Sequence, residues 1–217
     1  AKEHILNLSN EIALFGGTFD PIHKGHIACA KHVAQWLGLT QVCLIPSHIP
    51  PHKSSTTVSA LDRLAMVKLA IKDDPFFSVD DREVLKKTTS YTVETLEELL
   101  EELKADKTDR KFYFIIGMDS LIHFTKWHRW QDILKLCHIV VSTRPGYDVN
   151  AIPNELNAFI EKDAERITQH CTGKILIAPP CFHDISSTEI RHFIANQQKT
   201  DTLLPQPVSK YIRINHL

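Results

Sequence analysis

The chain has 217 residues, with 25 Lys and Arg against 26 Asp and Glu, so its formal net charge is −1 with histidine neutral. That balance excludes the broad basic face of a protein that grips long nucleic acid, and 43% hydrophobic with 24% charged residues excludes disordered and low-complexity classes. The length suits one generous domain, expected to span 1–217 with a helical C-terminal part at about 186–217.

Short apolar runs alternate with helical patterns along the chain. A strand is predicted over 11–16 (EIALFG), then a turn-rich stretch from Gly17 to Lys24 and a helix from about Gly25 to Leu37. A second strand follows at 41–46, a loop rich in Pro, His and Ser at 46–58, and a helix at 60–72, where Leu61, Leu64, Met66, Val67, Leu69 and Ala70 keep roughly helical spacing. Further strands are predicted at 76–80, 111–117, 138–143 and 174–178, and helices at 92–104, about 127–136, 154–169, 187–197 and 206–214. Val- and Ile-rich strands that do not alternate with polar residues, set between helices, indicate a parallel sheet covered on both faces. The fold class is therefore α/β, with a single doubly wound, mostly parallel sheet and helices on both faces. Ligands of such sheets bind beyond the carboxyl ends of the strands, so the residues directly after each strand are the informative ones.

Cys29, Cys43, Cys137, Cys171 and Cys181 are scattered, with no C-x-x-C pair, which argues for reduced thiols and against a disulfide framework or a cysteine-rich zinc site. The stretch AKEHILNLSNEI has no apolar run of secretory length, and no segment approaches the ~20 apolar residues of a membrane span. A cytoplasmic protein with neither membrane nor nucleic-acid partner is expected. Thirteen histidines outnumber the 7 Gly, 10 Phe or 11 Pro, and protonating all of them would move the net charge from −1 to +12.

The segment from Phe15 to His26, FGGTFDPIHKGH, follows the first strand. Gly16 and Gly17 permit a tight turn and close approach to a ligand, Thr18 offers a hydroxyl and an N–H, and Phe19, Asp20 and Pro21 complete the turn. His23 and His26 lie three residues apart at a helix start, where free N–H groups and the positive dipole end favour an anion. Near the other end, Ser186, Ser187 and Thr188 form a hydroxyl-rich helix start with Arg191 one turn later, a second anion clamp. Read alone, that S-S-T-E run is equally a capping box.

These two blocks resemble the H-x-G-H and I-S-S-T-x-I-R motifs of the nucleotidyltransferase superfamily, matched by His23–His26 and Ile185–Arg191. The intervening stretches PSHIPPHK (46–53), SYTVETL (90–96), FIIGMDSL (114–121) and Arg144–Pro145–Gly146 are similar to those of nicotinate mononucleotide adenylyltransferases, and the resemblance covers nearly the whole chain. It implies a Rossmann-like nucleotidyltransferase fold and a reaction in which the 5′-phosphate of nicotinate mononucleotide attacks the α-phosphorus of ATP, releasing pyrophosphate. The implied catalytic groups are His23, His26, Lys53 and Arg191. ATP would be held by Gly16, Gly17, Thr18, Phe19, His23, His26, Gly117, Asp119, Ser186, Ser187, Thr188 and Arg191. The acceptor would be held by Lys53, Ser90, Tyr91, Thr92, Trp127, His128 and Arg144. Mg²⁺ would arrive with ATP, bound mainly through phosphate oxygens, with no dedicated protein metal site; Asp20 is a candidate for contact with the cation and Asp119 for contact with the ribose.

Trp127 stands where the family places a tryptophan stacked on the nicotinate ring, although Trp127 and Trp130, spaced i, i+3 on a predicted helix, also fit core anchors. His128 replaces a tyrosine common in the family. The remaining histidines, His183 and His138 among them, read as background, with His48 and His52 adjacent to the site. Transfer to nicotinamide mononucleotide or a pantetheine phosphate, a non-catalytic nucleotide-binding module, and a histidine-rich metal binder are the competing readings. A homo-oligomer is left open.

Overall fold

In a computed structural model, residues 11–48, 56, 58–86, 88–105, 111–183 and 185–217 are described. Strand β1 (Glu11–Gly17) buries Ile12, Ala13 and Leu14 in succession, and β4 (Lys111–Gly117) buries every residue from Phe112 to Ile116. Strands with no solvent face need helices on both sides. With β2 (Val42–Pro46), β3 (Phe77–Val79), β5 (His138–Ser142), β6 (Ile160–Glu161) and β7 (Ile175–Ile177), they form one parallel sheet in the order β3-β2-β1-β4-β5-β7-β6.

Neighbouring residues of each strand face opposite cores. Ala13, Leu44, Tyr113 and Ile115 pack on α1 (Lys24–Trp36), α2 (Ala60–Ile71), α7 (Ser187–Ala195) and α8 (Gln206–Ile214) through Ala30, Met66, Ile190 and Val208. Leu14, Ile45, Phe114 and Ile116 pack on the other side against α4 (Thr92–Ala105), α5 (Met118–Ile122) and α6 (Trp130–Leu136) through Leu96, Leu121 and Ile133. The chain builds outward from β1 to β3 and then returns to lay β4 on the other side of β1. The carboxyl ends of β1 and β4 therefore flank the point where strand order reverses, the usual ligand crevice of such sheets.

Several predicted elements differ from the observed ones. The helix expected over 154–169 is instead two 3-10 turns, Asn154–Phe159 and Ala164–Gln169, separated by the edge strand β6. Glu161 accepts the Asp163 N–H through Oε1 (3.0 Å), and Asp163 Oδ1 accepts that of Glu165 (2.9 Å). Such local bonds compete with a helical ladder, and Ile160 pairs with Ile175 of β7. The helix expected from about 127 starts at Trp130, because Arg129 holds a left-handed backbone (φ 52°) through which an α-helix cannot pass. Two short helices, α3 (Arg82–Lys86) and α5, lie outside the predicted set.

Gly16 is required by the sheet itself. A Cβ there would lie 2.8 Å from the tip of the Phe114 ring on the neighbouring strand, and Phe114 is itself buried, in the core on the α4 side of the sheet. We expect Gly16→Ala to lower unfolding free energy by about 1–3 kcal/mol, the usual cost of overpacking, and Phe114→Leu to recover part of that loss in the double variant. Urea denaturation of the four proteins in the cycle measures both; full additivity would mean that the ring is not the obstacle.

Candidate active site

The turn after β1 runs from Gly17 to His23 and delivers α1 into the crevice. A Cβ on Gly17 would lie 2.9 Å from the Phe19 ring. The two glycines therefore make room for aromatic rings, whereas the left-handed residue of the turn is Phe19 (φ 48°). Phe19 is buried and stands edge-on to Phe15, with ring centroids 5.5 Å apart, and to His26, at 5.2 Å. Tertiary packing holds a backbone conformation that its own side chain disfavours.

His23 is the N-cap of α1, and its Nδ1 accepts the His26 N–H at 3.2 Å. In return, His26 Nδ1 accepts the His23 N–H at 3.2 Å. This is the reciprocal arrangement of a capping box, made here by two imidazoles whose rings stack with centroids 3.6 Å apart and planes 20° apart. Gly25 makes the stack possible, since a Cβ there would sit 3.0 Å from the His23 ring and 3.2 Å from Ile185 Cβ. A ring nitrogen that accepts an N–H carries no proton, so both neutral rings hold theirs on Nε2. Burial, then the charge of Arg144, lowers the His23 pKa to about 4. Burial, then His23 and Arg144, holds His26 well below the ordinary histidine value. The pair is neutral at pH 7, with two Nε2–H donors.

Both rings line a cavity of about 430 Å³ together with Gly117 and Asp119 from the end of β4, Arg144 from the end of β5, and Ser186 and Ser187 from the start of α7. Arg144, expected on the acceptor side, thus shares the cavity of the histidines, where its guanidinium donates to the Ile185 carbonyl (3.3 Å). Residues outside the expected set also line it: Cys29 on α1, Ser142 at the end of β5, Tyr147 and Asp148 just beyond, and His183, one of the background histidines. Their signal was positional, since Ser142, Tyr147 and Asp148 lie at or just past the carboxyl end of a strand and His183 lies shortly before a helix start.

Other expected contacts support the turn from behind: Arg191, Thr188, Thr18 and Asp20 lie outside the cavity lining, while Ser186 and Ser187 both line it and hold the backbone. Arg191 donates to the Asp20 carbonyl (2.8 Å) and to Thr188 Oγ1 (3.1 Å), and Ser187 Oγ donates to the Pro21 carbonyl (3.0 Å). Ser186 caps α7 by accepting the Glu189 N–H. The I-S-S-T-E-I-R run is therefore a helix cap and a backing for the turn at once. Asp20 is buried within the turn, and Thr18 gives its carbonyl to Arg63. Lys53 and His52 lie outside the described residues.

The expected acceptor residues form a second group. Ser90 and Tyr91 lead into α4 at Thr92, and the Tyr91 ring packs on His128 with centroids 4.6 Å apart. Trp127 ends a 3-10 turn in extended backbone, 5.3 Å from the Phe124 ring, while Trp130 packs on Phe124 and Phe159. Arg129 fixes this corner: its guanidinium is bidentate on Glu97 of α4 (2.7 and 3.1 Å) and also holds Asp132 (2.9 Å). Among the described residues, no three His, Cys, Asp or Glu side chains group as a metal site, and no helix is long and apolar enough to cross a membrane.

Residues 14–193 match the cytidylyltransferase-like family. A Yersinia pestis protein named "Probable nicotinate-nucleotide adenylyltransferase" is 44% identical over 209 residues, 94% of this chain and 94% of its own length. A Serratia proteamaculans protein of the same name matches at 44% identity with the same coverage. Among solved structures, a Plasmodium falciparum nicotinic acid mononucleotide adenylyltransferase complexed with NaAD superposes with a TM-score of 0.65 at 20% identity, covering 95% of this chain and 96% of that one. At that identity the likeness shows the fold.

The lowered histidine pKa values carry a sign for stability. In the unfolded chain both imidazoles take up protons near pH 6.5, whereas folded His23 does so only near 4. Between those values the unfolded state binds more protons, so stability falls as pH falls through that window and is unaffected above it. We expect His23 to contribute a loss on the order of 2 kcal/mol between pH 7.5 and 5. Urea titrations of wild type and His23→Asn at the two pH values measure this share; equal slopes would place the acid sensitivity elsewhere.

Proposed function

The chain belongs to the nicotinate-nucleotide adenylyltransferases of the cytidylyltransferase-like family, and we infer that it transfers the adenylyl group of ATP to nicotinate mononucleotide. A 5′-phosphate oxygen of the acceptor bonds to the α-phosphorus of ATP as the bond from that phosphorus to the α–β bridging oxygen breaks, and pyrophosphate leaves. The acceptor brings its own nucleophile, so the protein's task is alignment and stabilisation of charge on the transferring phosphoryl.

The observation that carries the reading is the stacked histidine pair at the head of α1. Two Nε2–H donors held by backbone bonds, in a cavity that also holds the Arg144 guanidinium, suit phosphate oxygens whose negative charge grows in the transition state. Because both rings are neutral, they donate hydrogen bonds without giving up a proton, and their geometry is set before substrate arrives. Asp119 is assigned to the ribose of ATP, and the start of α7, the second anion clamp, to its phosphates. The Ser90–Thr92 and Trp127–His128 group is assigned to the pyridine end, with Trp127 stacked on the ring and backbone N–H groups of this corner toward the carboxylate. Mg²⁺, carried in on the triphosphate, would neutralise part of its charge. Asp20 of the turn stays the candidate for contact with that cation, and Asp148 is a further carboxylate in the cavity wall of suitable chemistry. Lys53 remains proposed for the acceptor phosphate.

Pyrophosphate release with ATP and nicotinate mononucleotide, nicotinamide mononucleotide or phosphopantetheine as acceptor tests the assignment. The acid nucleotide is expected to have the highest kcat/KM, and an equal or better value for the amide would overturn the acceptor assignment. His23→Asn separates the two duties of that residue. Asparagine is a strong N-cap, so the variant should keep its folding stability at pH 7.5 within about 1 kcal/mol, but it lacks the Nε2–H and should lose on the order of 10²-fold or more in kcat.

A further inference from the structure

Arg63 lies on α2 outside the lining of the cavity, and its side chain is 0% exposed. Its guanidinium is spent on main-chain oxygens of two different segments. Nη1 donates to the carbonyls of Thr18 (2.5 Å) and Ser47 (2.8 Å), and Nη2 donates to that of His48. Thr18 belongs to the turn after β1, and Ser47 and His48 follow β2. The same two segments are joined by the bond from the Ser47 N–H to the Gly17 carbonyl (3.0 Å). A cation in this position is costly: burial lowers the Arg63 pKa, and the nearby negative charge of Asp20 only partly offsets it. Buried charge is weak evidence of a device for stability, because apolar side chains of similar volume often serve as well.

What a buried guanidinium supplies, and an apolar side chain cannot, is a fixed direction for several peptide groups at once. In a trans peptide the C=O and N–H point to opposite sides. Holding the Thr18 oxygen on the α2 side therefore aims the Phe19 N–H away from α2. Ser187 does the same for the peptide between Pro21 and Ile22, from α7. We propose that Arg63 is a positioning residue for adenylyl transfer, a bracket that sets the peptide planes of the turn after β1 and ties that turn to the segment after β2, so that the two are aligned as one unit. The proposal rests on the adenylyltransferase reading above.

The test uses Arg63→Lys, with Arg63→Gln beside it in case a lysine ammonium cannot be accommodated. Each keeps a donor but cannot span three carbonyls. With ATP and nicotinate mononucleotide both saturating, kcat is expected to fall by about 10- to 100-fold, the scale of a misalignment near 1 Å, while both KM values change less than threefold. A kcat within twofold of wild type in a folded variant would overturn the positioning role, whatever the change in Tm. Amide hydrogen exchange is read in parallel on segments 15–23 and 42–48. Faster exchange in both together supports the bracket, and faster exchange in one alone, or in neither, overturns it. This second readout needs no turnover, so it stands even if wild-type protein releases no pyrophosphate, an outcome that would sink the adenylyltransferase reading instead.

Discussion

Two backbone N–H groups at the head of α1, each accepted by the imidazole of the other residue, are the constraint around which the crevice is arranged. Free N–H groups at a helix start must find partners, and here the capping partners are also the proposed donors to substrate. Each histidine thereby has one nitrogen committed to structure and one left for chemistry. The stack demands Gly25 beside it, Phe19 against its edge, and a turn that brings the chain into α1 at a single angle. Neutrality follows from the same packing, because rings 3.6 Å apart in a buried setting beside Arg144 cannot both carry charge.

The turn is anchored by its own buried side chains, Phe19 and Ile22, but its peptide groups are held from outside. Its carbonyls are taken from behind by Arg63 of α2 and by Ser187 and Arg191 of α7. Residues that would be ranked as substrate ligands from their side-chain chemistry prove to be engaged with main chain. The corner that carries Trp127 and His128 is held differently, by a side-chain salt link between Arg129 and Glu97 of α4. Precise placement of a few donors is bought with several cations that need never touch a ligand.

Much of this was legible in the sequence because it is local. Short apolar runs mark six of the seven strands, all but the two-residue β6, and the two motif blocks name the stacked histidines and the start of α7. The region from 154 to 169 misled because its apolar spacing suits a helix, while Asp163 and Glu161 divert the backbone and β7 offers Ile160 a partner. Arg129 gave no hint of a left-handed backbone, since its conformation depends on a carboxylate 32 residues away. Arg63 falls within the predicted 60–72 helix, and its contacts with the Thr18, Ser47 and His48 carbonyls come together only in the folded chain. The histidine excess has a partly structural answer as well. His138 is buried with both ring nitrogens engaged, one accepting the Lys174 N–H and the other meeting the His170 carbonyl, at the amino end of β5 and so at the opposite end of the strands from the crevice.

The first helical residue of α1 adds one more link between distant parts of the chain. The Lys24 N–H donates to the Leu203 carbonyl at 3.0 Å, and its Nζ reaches the Asp201 carbonyl at 3.3 Å. Together with Ser187 and Arg191, these contacts mean that the early turn is completed by residues 166 or more positions further along the chain. The central strands pair without them, whereas the histidine turn has its backing only when the 187–204 stretch is folded onto it, so loosening of that stretch would reach the stacked pair before it reached the sheet.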